Sequence, residues 1–163
     1  MNQPFCAPAQ ALRCALDAAA RLPAPAVETL PLEDACGRIA AQDLCARMDQ
    51  PPFDRSPLDG YALHSKDIAG ASRETPVTLP VVMKLYAGDA PAAALPAGCA
   101  ARIMTGAPLP EGADCVLMQE QTDSGEDTVR LYAAVMANQN VVFRGEDVAA
   151  GAVIAAAGTT LTP

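Results

Sequence analysis

Apolar positions along this chain recur at two different periods. Over residues 8–22, Leu12, Ala15, Leu16 and Ala19 fall at the i, i+3, i+4, i+7 spacing of one helical face. Pro8 suits the first turn of such a helix, where its missing N–H would have no intrahelical partner, and Pro23 and Pro25 stop it. That face must be buried on the segment that follows or on another subunit. Beyond it the pattern shortens. Residues 27–32 alternate and carry Pro31, which predicts a short edge strand. Residues 32–36 read as a single helical turn closed by Gly37, and 38–46 as one or two short strands.

From residue 60 the apolar runs become brief and turn residues separate them. Strands are predicted near 60–64, over 77–87 with a bend at Pro80, and over 99–104, 115–121 and 128–135. A helical turn at 66–69, a polar loop at 70–76 and an Ala/Pro loop at 88–98 (Asp89, Pro91, Pro96) lie between them. Residues 105–114 form a turn-rich loop, with Gly106, Pro108, Pro110 and Gly112. A hairpin turn around Gly125 is expected to make 128–135 the partner of 115–121. Residues 140–144 extend again and lead through Gly145 and Gly151 to Val153-Ile154 and a turn at Gly158. The pattern therefore reads as α+β: a helix and short strands at the start, then a β-rich unit.

Composition narrows what such a chain does. Hydrophobic residues make up 51% of the 163, but alanine inflates the figure, and aromatics are 4% with no Trp. The core must be built from Val, Leu, Ile, Ala and Met. Small side chains bury little area each, at roughly 25 cal/mol per Å², so marginal stability or reliance on a partner subunit follows. A net charge of −8 without a run of Lys and Arg speaks against nucleic acid and against an anionic membrane surface. No apolar stretch is long enough to span a bilayer, and the N-terminus lacks the pattern of a signal peptide, so a cytoplasmic location is expected. The six cysteines form no Cys-x-x-Cys pair and the one histidine is His64, so no zinc site is expected. The cysteines read mostly as small buried hydrophobes.

Candidate chemistry concentrates in residues 51–64, Pro-Pro-Phe-Asp-Arg-Ser-Pro-Leu-Asp-Gly-Tyr-Ala-Leu-His. Prolines stiffen the approach, and Asp59-Gly60 reads as a tight turn in which glycine supplies positive φ. Asp54 and Asp59 on one loop could bind Mg²⁺, which takes carboxylate oxygens and keeps waters and substrate ligands. Asp54 also suits a structural role, accepting backbone N–H bonds. Thr105 before Gly106 either initiates a turn or offers a hydroxyl and amides to an oxyanion. Arg144-Gly-Glu-Asp147 reads as an ion pair on a turn. Gln119 and Gln121 should share one face of their strand, with Glu120 on the other.

Four strings in order resemble one family. They are 51–62, Arg102-Ile-Met-Thr-Gly-Ala-Pro-Leu-Pro-Glu-Gly-Ala-Asp114, Val116-Leu-Met-Gln-Glu-Gln-Thr122 and Arg144-Gly-Glu-Asp-Val148. The first is similar to Pro-x-Phe-Asp-Asn-Ser-Ala-Met-Asp-Gly-Tyr-Ala of the MoeA/gephyrin E-domain family, the molybdopterin molybdenumtransferases. The resemblance implies a discontinuous, dimerising domain of residues 1–46 plus 140–163, with 47–139 inserted as a β-rich domain. It implies an enzyme that inserts molybdate into adenylylated molybdopterin and releases molybdenum cofactor and AMP, with Mg²⁺ present. It makes Asp59 and Thr105 catalytic, with Asp59 also the metal ligand, and sets Asp147 and Arg144 at the substrate; Arg55, where the family has asparagine, is expected at the substrate only as compensation for the missing basic residues before Arg144. A homodimer that shares its cleft is implied, and the molybdopterin adenylyltransferase is a further candidate partner.

Two positions depart from the family pattern: Val141-Val142-Phe143 precede a single Arg144 where more basic residues are usual, and Arg55 replaces asparagine. The chain resembles the N-terminal two-domain part of a longer enzyme, expected to be inactive alone. A non-catalytic dimerisation scaffold and a metal-dependent hydrolase using Asp54 and Asp59 stay open as other classes.

Overall fold

A computed structural model describes residues 7–23, 26–90 and 93–163; Cys6, Pro25 and Pro91 lie outside them. The chain divides into two compact units, residues 1–42 with 157–163 and residues 43–156. The expected domain edges at 46/47 and 139/140 fall inside the larger of these.

The smaller unit opens with helix α1 (Pro8–Ala19), with Pro8 in its first turn. It ends three residues short of the expected 22. Arg21 and Leu22 donate to the carbonyls of Ala18 and Ala19, the tighter i−3 bonding of a final turn ahead of Pro23. None of its residues is buried, and Leu12 and Leu16 are 60% and 61% exposed. Residues 27–31 form no strand. Pro31 has no N–H to give, and no ladder bonds reach the segment; Glu28 instead pairs with Arg38. A 3-10 turn at Leu32–Asp34 is followed by Gly37 at φ +79°, whose N–H bonds Leu161. Ile39 bridges Thr160, and Ala40 beside it is buried.

The larger unit holds a two-stranded pair, β1 (Leu44–Cys45) with β7 (Val153–Ala155), and a five-stranded mixed sheet. The sheet contains β2 (Gly60–Leu63), β3 (Val77–Leu85), β4 (Ala100–Ile103), β5 (Cys115–Met118) and β6 (Thr128–Leu131), in the order β5-β2-β4-β3-β6. β2 is antiparallel to both β4 and β5, and β3 runs parallel to β4.

Alternation sends successive side chains to opposite faces. Tyr61, Leu63, Ala100, Cys115 and Leu117 pack with Ile68, Leu79, Val129 and Leu131 on one face. Ala62, Ala101, Ile103 and Val116 pack with Leu85, Leu95 and Ala107 on the other. β2 is buried on both sides, and aliphatic and alanine side chains build the core, as composition required.

Three local expectations change. First, β6 does not pair with β5. Its ladder runs to β3, from Val77↔Leu131 to Pro80↔Thr128. The bridge Thr122↔Leu131 and the Arg130 N–H bond to Asp123 Oδ1 link it to the segment after β5, because residues 119–121 leave the strand as a 3-10 turn. The two-face reading of Gln119, Glu120 and Gln121 fails for the same reason. Second, β3 is continuous through Pro80. It pairs with β6 up to Pro80 and with β4 from Val81, and its irregularity lies between Val81 and Met83. That bulge turns Val81 to the first core cluster and Met83 to the second. Third, most cysteines are not buried. Cys14, Cys36 and Cys45 are exposed, because the regions around them pack little core, and Cys115 alone among those described is buried.

Candidate active-site loop

Residues 50–59 run between two other segments of the larger unit and bond to both. Gln50 exchanges backbone bonds with Val148, and its carbonyl also accepts the Asp147 N–H. Pro51 accepts from Gly145, and Arg55 exchanges two bonds with Val142, at 2.9 and 3.0 Å. On the opposite side Asp54 O accepts from Leu109, Ser56 N donates to Ala107 and Ser56 O accepts from Gly106. Gln119 donates to the Asp59 carbonyl at 3.0 Å. The loop is therefore the hub of the four sequence strings. Inside it Ser56 is buried; its Oγ donates to Leu58 O at 2.5 Å and accepts the Leu58 N–H at 3.3 Å.

Asp59 and Thr105, far apart in sequence, meet here. Thr105 N and Oγ1 both donate to Asp59 Oδ1, at 2.8 and 2.7 Å. The Thr105 amide, then its hydroxyl, then the nearby Arg102 charge hold the exposed Asp59 carboxyl below its ordinary range. Both donors expected to meet an external oxyanion are spent on the protein's own carboxylate. Gly60 is required, but not for a turn: its φ is ordinary and it begins β2. A Cβ there would sit 2.1 Å from the Leu117 carbonyl oxygen, so only glycine lets β5 approach.

Arg144 is clamped rather than free. Its N–H donates to Asp54 Oδ1 at 2.7 Å, and its Nε donates to Asp49 Oδ2 at 2.5 Å. Asp49 also accepts from Ala150 N at 2.7 Å, and these bonds, Ala150 first, hold its carboxyl below the ordinary range. Asp49 carried no sequence signal beyond being one more loop acid, yet it ties the 144–150 segment to the loop. Asp54 plays the anticipated part of backbone acceptor. Asp147 is exposed and its carboxylate has no partner among the described residues. Arg55 is half-buried, and its Nε is a buried donor without an acceptor.

The MoeA N-terminal region (domain I and II) family model matches residues 7–163. The chain belongs to that family. It is 40% identical over 154 residues to the molybdopterin molybdenumtransferase of Synechococcus elongatus, covering 94% of this chain and 38% of that protein. The Bacillus subtilis molybdopterin molybdenumtransferase is 41% identical over 140 residues, covering 83% of this chain and 33% of its own length. Two crystal structures of the molybdopterin biosynthesis MoeA protein from Pyrococcus horikoshii superpose with TM-scores of 0.78 and 0.81, at 38% and 36% identity. They cover 83% and 93% of this chain and 36% and 39% of theirs. The chain thus spans between a third and two fifths of the relatives it matches, as their N-terminal part.

In this MoeA N-terminal region one residue of the second string was overlooked. Arg102 lies opposite Tyr61 in the sheet, with its guanidinium 5.6 Å from the ring centroid. Its place in the string shows no role, because strand register, not spacing, brings it to Asp59. Among the described residues no three His, Cys, Asp or Glu side chains come together as a metal cluster. Burial pushes the Cys115 thiol up to about 12, which removes it as a nucleophile. A shallow depression of about 360 Å³ lined by Ser65, Lys66, Val135 and Met136 contains no residue of the four strings. No helix among the described residues is long and apolar enough to cross a membrane.

Proposed function

We propose that this chain is the part of a molybdenumtransferase that presents the molybdate-side loop to the pterin. The parent enzyme inserts molybdate into adenylylated molybdopterin and releases molybdenum cofactor and AMP. One observation carries this reading: all four strings converge on one braced loop, and Asp59 is held there with Oδ1 occupied and Oδ2 open. A carboxylate fixed before substrate arrives costs no reorganisation when charge has to be handled.

The residues take the following parts. Thr105 holds Asp59 in place. Asp59 orients the incoming oxyanion and its ion. Arg144, Asp147 and Arg55 edge the substrate cleft. Mg²⁺ fits as a shared ion, because Asp59 offers one open oxygen and this ion is commonly completed by waters and substrate oxygens. When bound it would offset the charge of carboxylate and oxyanion. The exposed Leu12 and Leu16 face of α1 is the surface for a homodimer that shares its cleft. The molybdopterin adenylyltransferase is the proposed donor of substrate, and the cytoplasm the compartment. On this reading the chain by itself turns nothing over.

An add-back assay tests it. A full-length relative inactivated by the Asp→Asn change at the position matching Asp59 is mixed with this chain under conditions of dimer exchange, and cofactor formation is measured. Recovered activity is expected. Heterodimers that form without activity would sink the catalytic reading in favour of a scaffold.

A further inference from the structure

All eleven Lys and Arg residues of this chain lie among the described residues, and nine of them are exposed. The two that are half-buried are Arg55 and Arg102. Three of the exposed cations pair with carboxylates: Arg38 with Glu28, Lys84 with Glu126 and Arg144 with Asp49. Arg102 does not. Its Nη1 donates to Tyr61 Oη at 2.9 Å and to Ser124 O at 3.4 Å, and its Nη2 to Gln119 Oε1 at 3.4 Å. Tyr61 Oη in turn donates to Gly125 O at 2.9 Å. Every acceptor is neutral. The guanidinium is oriented by four groups, counting the ring beneath it, and no carboxylate is in direct contact with it, while its charge reaches Asp59 and Glu126 nearby. A half-buried guanidinium whose direct contacts are all neutral acceptors still has N–H donors to offer an arriving anion.

Its surroundings say where that anion would sit. Gln119 bonds Arg102 through its side chain and the Asp59 carbonyl through its N–H, so Arg102 and the Asp59–Thr105 pair share one neighbour. A chain of net charge −8 that meets an oxyanion beside a carboxylate needs a fixed cation there. We infer that Arg102, pre-oriented by Tyr61, Ser124 and Gln119, is an anion-binding residue for a tetrahedral oxyanion beside Asp59. The shared chemistry is that of molybdate and of a phosphate group, and the planar fork suits either. The inference deepens the proposed function and rests on it for the identity of the anion, not for the existence of the site.

The test is an NMR titration of the full 163-residue chain with sodium molybdate and, separately, inorganic phosphate, with sodium sulfate-free buffer and constant ionic strength. The Arg102 Nε–H and Thr105 N–H signals are followed. Saturable shifts with one midpoint at both groups are expected, and R102Q should weaken binding by about tenfold or more, the loss of a charge-assisted contact. Binding of phosphate without molybdate would support the site while removing molybdate from the proposed function. Shifts spread over exposed cations, or a folded R102Q that binds as the parent does, would overturn the inference. So would the absence of saturable binding by either anion, whatever the add-back assay returns. Should R102Q fail to fold, the wild-type titration decides: an Arg102 signal that stays still while others move refutes the site.

Discussion

Gly60→Ala puts the strand junction beneath the loop to a direct test. The added Cβ would lie 2.1 Å from Leu117 O, 3.0 Å from Leu117 C and 3.1 Å from Met118 Cα. All three atoms are backbone, so no side chain can swing aside. Opening 2.1 Å to the 3.0 Å that Cβ atoms tolerate moves β2 and β5 apart by about 0.9 Å. The Gln119 N–H to Asp59 O bond, now 3.0 Å, would then pass well beyond hydrogen-bonding distance. One or two lost bonds at about 1 kcal/mol each, plus about 1–3 kcal/mol of overpacking, come to about 2–5 kcal/mol. For a chain of this length the melting temperature should fall by on the order of 10 °C.

Urea unfolding followed by circular dichroism measures the stability change. Gly70→Ala serves as the control, since it has open space and ordinary φ and should be neutral or stabilising by a few tenths to about 1 kcal/mol. If Gly60→Ala unfolds within about 0.5 kcal/mol of the parent, the close β2–β5 approach is wrong as an account of that glycine.

Thr105→Val removes one donor to Asp59 and should raise the Asp59 carboxyl pKa toward its ordinary range, as read by carbon-detected NMR titration; an unmoved value would deny the pairing. Acid should destabilise the larger unit. Asp49 is depressed by the Ala150 and Arg144 bonds and Asp59 by Thr105; at Asp114 burial is the largest effect and raises the pKa, but the two Ser65 bonds, a Cys115 bond and the His64 charge together lower it by more. A depressed carboxyl contributes stability that is complete above its unfolded pKa of about 3.9 and is lost as pH falls through the folded one. The urea midpoint should hold from pH 7 to about 5 and drop below about 4; a midpoint flat to pH 3 contradicts this. Arg55→Asn, which removes the buried unpaired Nε, should weaken oxyanion affinity in the same titrations, and unchanged affinity would strip Arg55 of its substrate role.

The sequence by itself determined the local and the categorical. Periodicity located α1 and the cores of the strands, proline and glycine marked the turns between them, and four strings identified the family. Those signals are carried by residues near one another in the chain, where spacing and backbone preference suffice. Tertiary structure decided who meets whom. It took β6 to β3 instead of β5, and it made Gly60 a matter of a carbonyl 57 positions away rather than of a turn. It spent Thr105 on Asp59, clamped Arg144 with Asp49 and Asp54, and brought Arg102 over Tyr61. Each of these depends on strand register and on contacts between distant segments. A pairing of that kind is chosen by which arrangement buries both faces of the sheet and satisfies its polar groups together, a condition that no stretch of the chain meets alone.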